Sequence, residues 1–122
     1  IPHLERMQET ALATNKPFTL MLLDLGHFKL VNDTFGHSVG DAVLIEVANR
    51  LRDNLRAIDL VARIGGEEFL VAMPATDLDE GRAAANRLRR IIFDTRIECA
   101  ADHTPFQNQR QNWHGFGRHQ RD

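Results

Sequence analysis

Two carboxylates stand where a charge is costly to keep. Asp24 closes the apolar run from Phe18 to Leu25, and Glu67 sits in Gly65-Gly66-Glu67-Glu68, between two short apolar runs. A carboxylate at the end of a buried strand must be paired or metal-bound to offset its lost solvation. Hard oxygen ligands from two loops, with a backbone carbonyl, suit Mg2+ or Mn2+ holding a nucleotide phosphate. An equally good account makes Asp24 the cap of a neighbouring helix and Glu67 a solvated turn residue. Spacing alone does not separate the two.

Further polar groups follow the same apolar run: His27-Phe28-Lys29, then Asn32, His37 and Asp41. A carboxylate can accept from the N1–H and N2–H of guanine, an amide can donate to its acceptors, and a lysine can neutralise phosphate. From the residues alone, turn chemistry and a helix-start charge at Asp41 explain this stretch better.

These groups must be carried by secondary structure. Leu4 to Ala13 reads as the end of a polar helix, broken at Asn15-Lys16-Pro17 because proline biases its predecessor away from helical dihedrals. Phe18 to Leu25 lacks alternation and suits a strand covered on both faces. His27 to Ser38 reads as a polar connection, with a helix starting near Ser38 and Asp41 in its first turn. Val43, Val47, Leu51 and Leu44, Ala48, Leu55 trace apolar stripes along that helix, which Arg56 to Asp59 closes. Leu60–Ile64 and Phe69–Met73 form a hairpin whose glycines are expected to supply positive φ, and Pro74 ends its second strand. Leu78 to Phe93 is a second amphipathic helix, with Ala84, Leu88 and Ile91 or Ile92 inward.

The 122 residues have room for one small domain. A net charge of −2 argues against a broad nucleic-acid footprint. The single cysteine, Cys99, forms no internal disulfide, and no apolar run reaches the roughly 18 residues of a membrane span. The missing initiator Met is expected of a piece of a longer chain. Residues 100–122 hold no Val, Ile, Leu or Met but four Gln, three Arg and three His, which predicts a disordered tail. That abrupt shift near Cys99–His103 also suggests a reading-frame change.

Arg63-Ile-Gly-Gly-Glu-Glu-Phe69 resembles the GG[D/E]EF signature of bacterial diguanylate cyclases. Asp24-Leu-Gly-His-Phe-Lys29, Asn32-Asp-Thr-Phe-Gly-His37 and Gly40-Asp41 are similar to that family's upstream D-x-D-x-F-K…N-D-x-x-G-H…G-D block. The resemblance spans about Leu4 to Ile92. It implies an α+β domain at residues 1–99, with a ferredoxin-like, nucleotidyl-cyclase-type sheet flanked by helices. It implies joining two GTP into cyclic di-GMP by a homodimer, in the bacterial cytoplasm, within a larger sensor, without nucleic-acid or membrane contact.

Carried over by position, Asp24, the Leu25 carbonyl and Glu67 would hold Mg2+ or Mn2+. Asn32 and Asp41 would recognise guanine, with His37 and Phe28 at substrate-contacting positions. Lys29 would stabilise α-phosphate charge, while Glu67, helped by Glu68, would act as base. Gly65 and Gly66 would let the backbone approach the nucleotide. Arg56-Ala-Ile-Asp59 matches the family's R-x-x-D product-inhibition motif, and Arg87 its secondary arginine; a basic helix end is the plainer alternative.

Two departures stand out. The second Asp of D-x-D is Gly26 here, which predicts weaker metal binding. The expected S-I-G-V-A-type strand and the helix after it are absent, leaving an unpaired apolar edge beside the Asp24 strand. Both predict reduced turnover, so a degenerate module binding cyclic di-GMP or GTP as a regulatory receptor is the alternative.

Overall fold

The computed structural model describes residues 2–92 and 95–101. Their order is α1 (Pro2–Thr14), β1 (Phe18–Leu25), α2 (Phe28–Phe35), α3 (His37–Asp53), β2 (Leu60–Arg63), β3 (Glu68–Pro74), α4 (Leu78–Ile91) and β4 (Thr95–Ala101). The strands form one antiparallel sheet in the order β2-β3-β1-β4. This βαββαβ arrangement, with β1 and β3 central, is the ferredoxin-like topology that the resemblance implied. No helix among the described residues is long and apolar enough to cross a membrane.

Strand β1 is covered on both faces, as its continuous apolar run requires. Met21, Leu23 and Leu25 join Phe69, Val71 and Met73 in a core packed under α3 and α4 through Leu44, Val47, Leu51, Ala84, Ala85 and Leu88. Phe18, Leu20 and Leu22 face the other way, with Leu70, Ala72 and Leu4 of α1. Each fully buried leucine is worth about 1.5–3 kcal/mol of transfer free energy, so the central strands anchor the domain.

The chain folds differently from the sequence expectation in several places. The connection after β1 is not a polar loop but helix α2, and α3 begins at His37 with Gly36 as its N-cap rather than at Ser38. Asn32-Asp33-Thr34 read as turn chemistry because their propensities favour turns, yet Phe28, Val31 and Phe35 share helical spacing. Asp41 consequently lies beyond the first turn of α3, which contains no acidic residue. Helix α3 ends at Asp53, so Arg56 to Asp59 lie in a turn after it.

The glycine bend also corrects the expectation. Among the described residues the positive-φ glycine is Gly36, and neither Gly65 nor Gly66 adopts a left-handed backbone. The left-handed position beside β1 belongs instead to His27, at φ 59°.

The S-I-G-V-A-type segment is absent from the sequence as expected, but the edge it would cover is not left unpaired. Thr95–Ala101 pairs with β1 from Thr19↔Ala101 to Leu25↔Thr95, so the apolar edge is covered and Ala100 and Ala101 belong to the sheet. Its signal was alternation: Ile97 and Cys99 join the α3–α4 core while Arg96 and Glu98 take the opposite face. The Arg89 guanidinium donates to the Ile97 carbonyl at 2.6 Å, tying β4 to α4. Burial pushes the Glu98 carboxyl above its usual range, against the pull of Arg89 and Arg96. The remaining tail expectation, residues 102–122, and the helix end at Phe93 lie outside the described residues.

Helix α4 starts with a capping box: the Asp77 carboxylate accepts from the Glu80 amide at 2.8 Å, and the Asp77 amide donates to Glu80 Oε1 at 3.1 Å. Its approach to the sheet depends on Gly81, where a Cβ would come within 2.6 Å of Thr19 Cγ2. Thr19 cannot yield easily, because it is fully buried and its hydroxyl donates to the Thr76 carbonyl at 2.7 Å. Gly81→Ala should therefore destabilise the domain by about 1–3 kcal/mol in urea unfolding, despite alanine's better helix propensity. Unchanged or higher stability would show that α4 does not bear on Thr19.

Candidate functional site

The site residues are gathered by the C-terminal end of β1. Asp24 is directly opposite Glu68 in the β1–β3 ladder, and the Leu25 amide donates to the Glu67 carbonyl at 3.1 Å. The two acidic segments, 43 positions apart in the chain by their numbers, therefore meet at one sheet end. Asp24, Glu67 and Glu68 are half-buried, whereas Lys29, in the first turn of α2, is exposed.

The bend itself is held by Arg63. Its guanidinium donates to the Gly65 carbonyl at 3.0 Å and the Gly66 carbonyl at 2.9 Å, and the Ile64 amide donates to the Glu68 carbonyl at 3.0 Å. A Cβ on Gly66 would meet no heavy atom within 4 Å, so this backbone faces open space. A Cβ on Gly65 would make ordinary contact with the Glu68 side chain at 3.4 Å. Arg63 is a residue that sequence reading passed over; its place in the signature offered the only hint.

A second group forms at the α2–α3 corner. The Asn32 side chain occupies the space that a Cβ on Gly40 would fill, with the Phe28 ring close by. Gly40 is buried, and Asn32 thereby lies against the residue immediately before Asp41. Phe28 is only 8% exposed and belongs to the core, so it acts on this corner by packing beneath it. Asp41 and His37 are exposed on α3.

Carboxylate and carbonyl oxygens are hard donors of the kind divalent cations take. Among the described residues no group of three or more His, Cys, Asp and Glu side chains is arranged to hold a metal. Two carboxylates and a carbonyl leave coordination positions for water and phosphate oxygens, which Mg2+ characteristically retains.

Arg56, Asp59 and Arg87 lie at the other end of the sheet, near the Phe18↔Pro74 pair. Six residue steps of β-strand put roughly 20 Å between the two ends. The three residues line one cavity of about 600 Å3 with Asp53, Thr76 and Glu80. The Arg56–Asp59 pair is tight: Nη2 to Oδ1 is 2.7 Å, and the Asp59 side chain is 2% exposed. Asp59 also accepts from the Arg56 amide at 2.8 Å, while Arg56 Nη2 reaches the Pro74 carbonyl at 2.9 Å and Thr76 Oγ1 at 2.7 Å. The helix-end explanation for Arg56 fails, because α3 has ended three residues earlier.

The family model described as "Diguanylate cyclase, GGDEF domain" matches residues 2–111. The diguanylate cyclase DgcP of Pseudomonas aeruginosa is 53% identical over 97 residues, which cover 72% of this chain and 14% of that protein. The response regulator PleD of Caulobacter vibrioides is 48% identical over 86 residues, covering 70% of this chain and 19% of that protein. This chain thus spans less than a fifth of the length of these curated relatives. Among solved structures, the diguanylate cyclase SiaD of Pseudomonas aeruginosa, in complex with its activator SiaC, superposes with a TM-score of 0.82 at 28% identity. That match covers 90% of this chain and 48% of the other. Sequence, topology and the paired acidic segments agree: the chain belongs to the GGDEF-domain diguanylate cyclase family.

Proposed function

We propose that this chain binds GTP and a divalent metal at the Asp24–Glu67 end of the sheet, and that two copies together condense two GTP into cyclic di-GMP. The observation carrying this reading is the junction of Asp24 with Glu67 and Glu68 through the β1–β3 register and the Leu25–Glu67 hydrogen bond. Asp24, the Leu25 carbonyl and Glu67 would hold Mg2+ or Mn2+, which when bound supplies charge stabilisation for phosphoryl transfer. Asn32 and Asp41 would read the guanine edge from the α2–α3 corner, with His37 beside them. Lys29 would face the α-phosphate, and open space around Gly66 would admit the nucleotide close to the backbone.

In each half-reaction a ribose 3′-oxygen bonds to the α-phosphorus of the GTP on the facing copy. The bond from that phosphorus to the bridging oxygen breaks, pyrophosphate leaves, and the hydroxyl proton passes to a carboxylate at Glu67, aided by Glu68. Positioning by the two facing sites would supply much of the acceleration.

A second reading has its own support. The cavity lined by Arg56, Asp59 and Arg87 offers two arginines beside the carboxylates of Asp53, Asp59 and Glu80; the arginine forks suit phosphate and guanine acceptors, and a carboxylate can accept from guanine. This chain would then serve as a receptor for cyclic di-GMP, as an inhibitory site of the enzyme or in its own right. Asp59 is already bonded by Arg56, so a ligand there would have to replace part of that pair.

Three measurements check these readings. Incubation with GTP and Mg2+, followed by chromatography, should yield cyclic di-GMP; Asp24→Asn and Glu67→Gln should each reduce the rate at least about a hundredfold. Product formation unaffected by both substitutions would refute the site. Calorimetry should show Gly40→Ala weakening a Mg2+-bound GTP analogue by about three- to tenfold, because the new Cβ displaces Asn32. Unchanged affinity would remove Asn32 from guanine recognition. Calorimetry with cyclic di-GMP should give a saturable heat that Arg87→Ala diminishes by about tenfold; no heat with the unaltered chain would exclude the receptor reading.

A further inference from the structure

The β4 strand brings a charge to the site that the signature motifs do not contain. In the β1–β4 ladder Arg96 is directly opposite Asp24, which is itself opposite Glu68 in the β1–β3 ladder. Residues facing each other across neighbouring strands project from the same side of a sheet, with Cβ atoms about 4.5–5.5 Å apart. Arg96, Asp24 and Glu68 therefore form one cross-strand row. Glu98 shares that face two residues further along β4, opposite Leu22. Arg96 lies close enough to Glu98 to pull its carboxyl downward, against the effect of burial.

The row sits at the sheet end where the Gly65–Gly66 bend opens to solvent, and Arg96 is exposed there. Arg96 thus shares a face with three carboxylates, Asp24, Glu68 and Glu98, the last of which also feels Arg89. A guanidinium in that place has two uses. Without ligand it would offset charge of the acidic row. With Asp24 engaged by a metal, the planar fork would become available to phosphate oxygens, for which its geometry is well matched.

We propose that Arg96 is a nucleotide-binding residue of this chain, contacting the phosphates of a metal-bound nucleoside triphosphate beside Asp24. The inference rests on the reading that Asp24 and Glu67 hold that metal. It assigns a binding role to a strand whose sequence, Thr-Arg-Ile-Glu-Cys-Ala-Ala, has no counterpart in the S-I-G-V-A-type segment expected there. Exchange of partners also gives an ordering: metal engagement frees the arginine that then receives phosphate.

Calorimetry on the full chain separates the possibilities. The titrants are Mg2+ alone, and a GTP analogue with a methylene bridge between its α- and β-phosphates in excess Mg2+. Arg96→Ala should weaken the analogue about tenfold, and Arg96→Lys should recover part of the loss. Mg2+ alone should bind Arg96→Ala as well as or better than the unaltered chain, since a competing cation has gone. A role confined to the fold would instead lower both affinities together, and circular dichroism of each variant would show the loss. If Arg96→Ala leaves analogue affinity unchanged while Asp24→Asn lowers it, the Arg96 inference is overturned and the site reading stands. If Asp24→Asn also has no effect, or the unaltered chain does not bind the analogue, the site reading falls and takes this inference with it.

Discussion

Register at the end of the β1–β3 ladder is the constraint on which the rest depends. The Leu25 amide bonds to the Glu67 carbonyl at 3.1 Å, and Asp24 stands opposite Glu68. Side chains alternate along a strand, so a slip of one residue would carry Asp24 to the opposite face and bring Leu23 and Leu25 out of the α3–α4 core. Every apolar contact of β1 thus votes for the register that places the carboxylates. Leu20, Met21 and Leu23 have no exposed surface, and truncating such a residue costs about 2–5 kcal/mol. The site inherits its geometry from packing that has no chemical role of its own.

The same economy holds at the α2–α3 corner and at the far end of the sheet. Gly40 lacks a side chain where Asn32 needs space, and Phe28 fills the core beneath them. Arg56 and Asp59 brace the turn between α3 and β2 while linking it to Pro74 at the end of β3 and Thr76 just after it. A nearly buried carboxylate held by a bidentate arginine is a stable joint, and it would also be a demanding one for a ligand to open. Strands β1 and β3 thus space the two ends of the sheet, with the paired acidic segments at one end and a preformed ion pair at the other.

Sequence reading recovered most of this because long apolar runs and helical stripes have few other interpretations. Phe18–Leu25 is a strand with the bounds expected, and Leu44, Val47 and Leu51 are buried as their spacing required. It failed where local propensity and tertiary packing disagree. Asn32, Asp33 and Thr34 favour turns in isolation, but Phe28 and Val31 gain from packing a helix against α3, and packing wins. Strand β4 was hidden for a similar reason: arginine, glutamate and alanine are poor strand formers, and only Ile97 and Cys99 mark its inward face. A one-sided alternation of this kind is easily lost next to a polar tail. Gly65 and Gly66 misled in the other direction: a glycine pair suggests positive φ, yet neither adopts it, and only at Gly66 would a Cβ meet open space.

The central claim is that the carboxylate of Asp24 on β1 and that of Glu67, in the bend before β3, share one cation. Crystals grown with Mn2+ and a non-reacting GTP analogue would locate the metal by its anomalous scattering. The account predicts a peak about 2.1 Å from carboxylate oxygens of both Asp24 and Glu67, with phosphate oxygens completing its sphere. A peak bound elsewhere, or a nucleotide seated with no metal between these side chains, would contradict it.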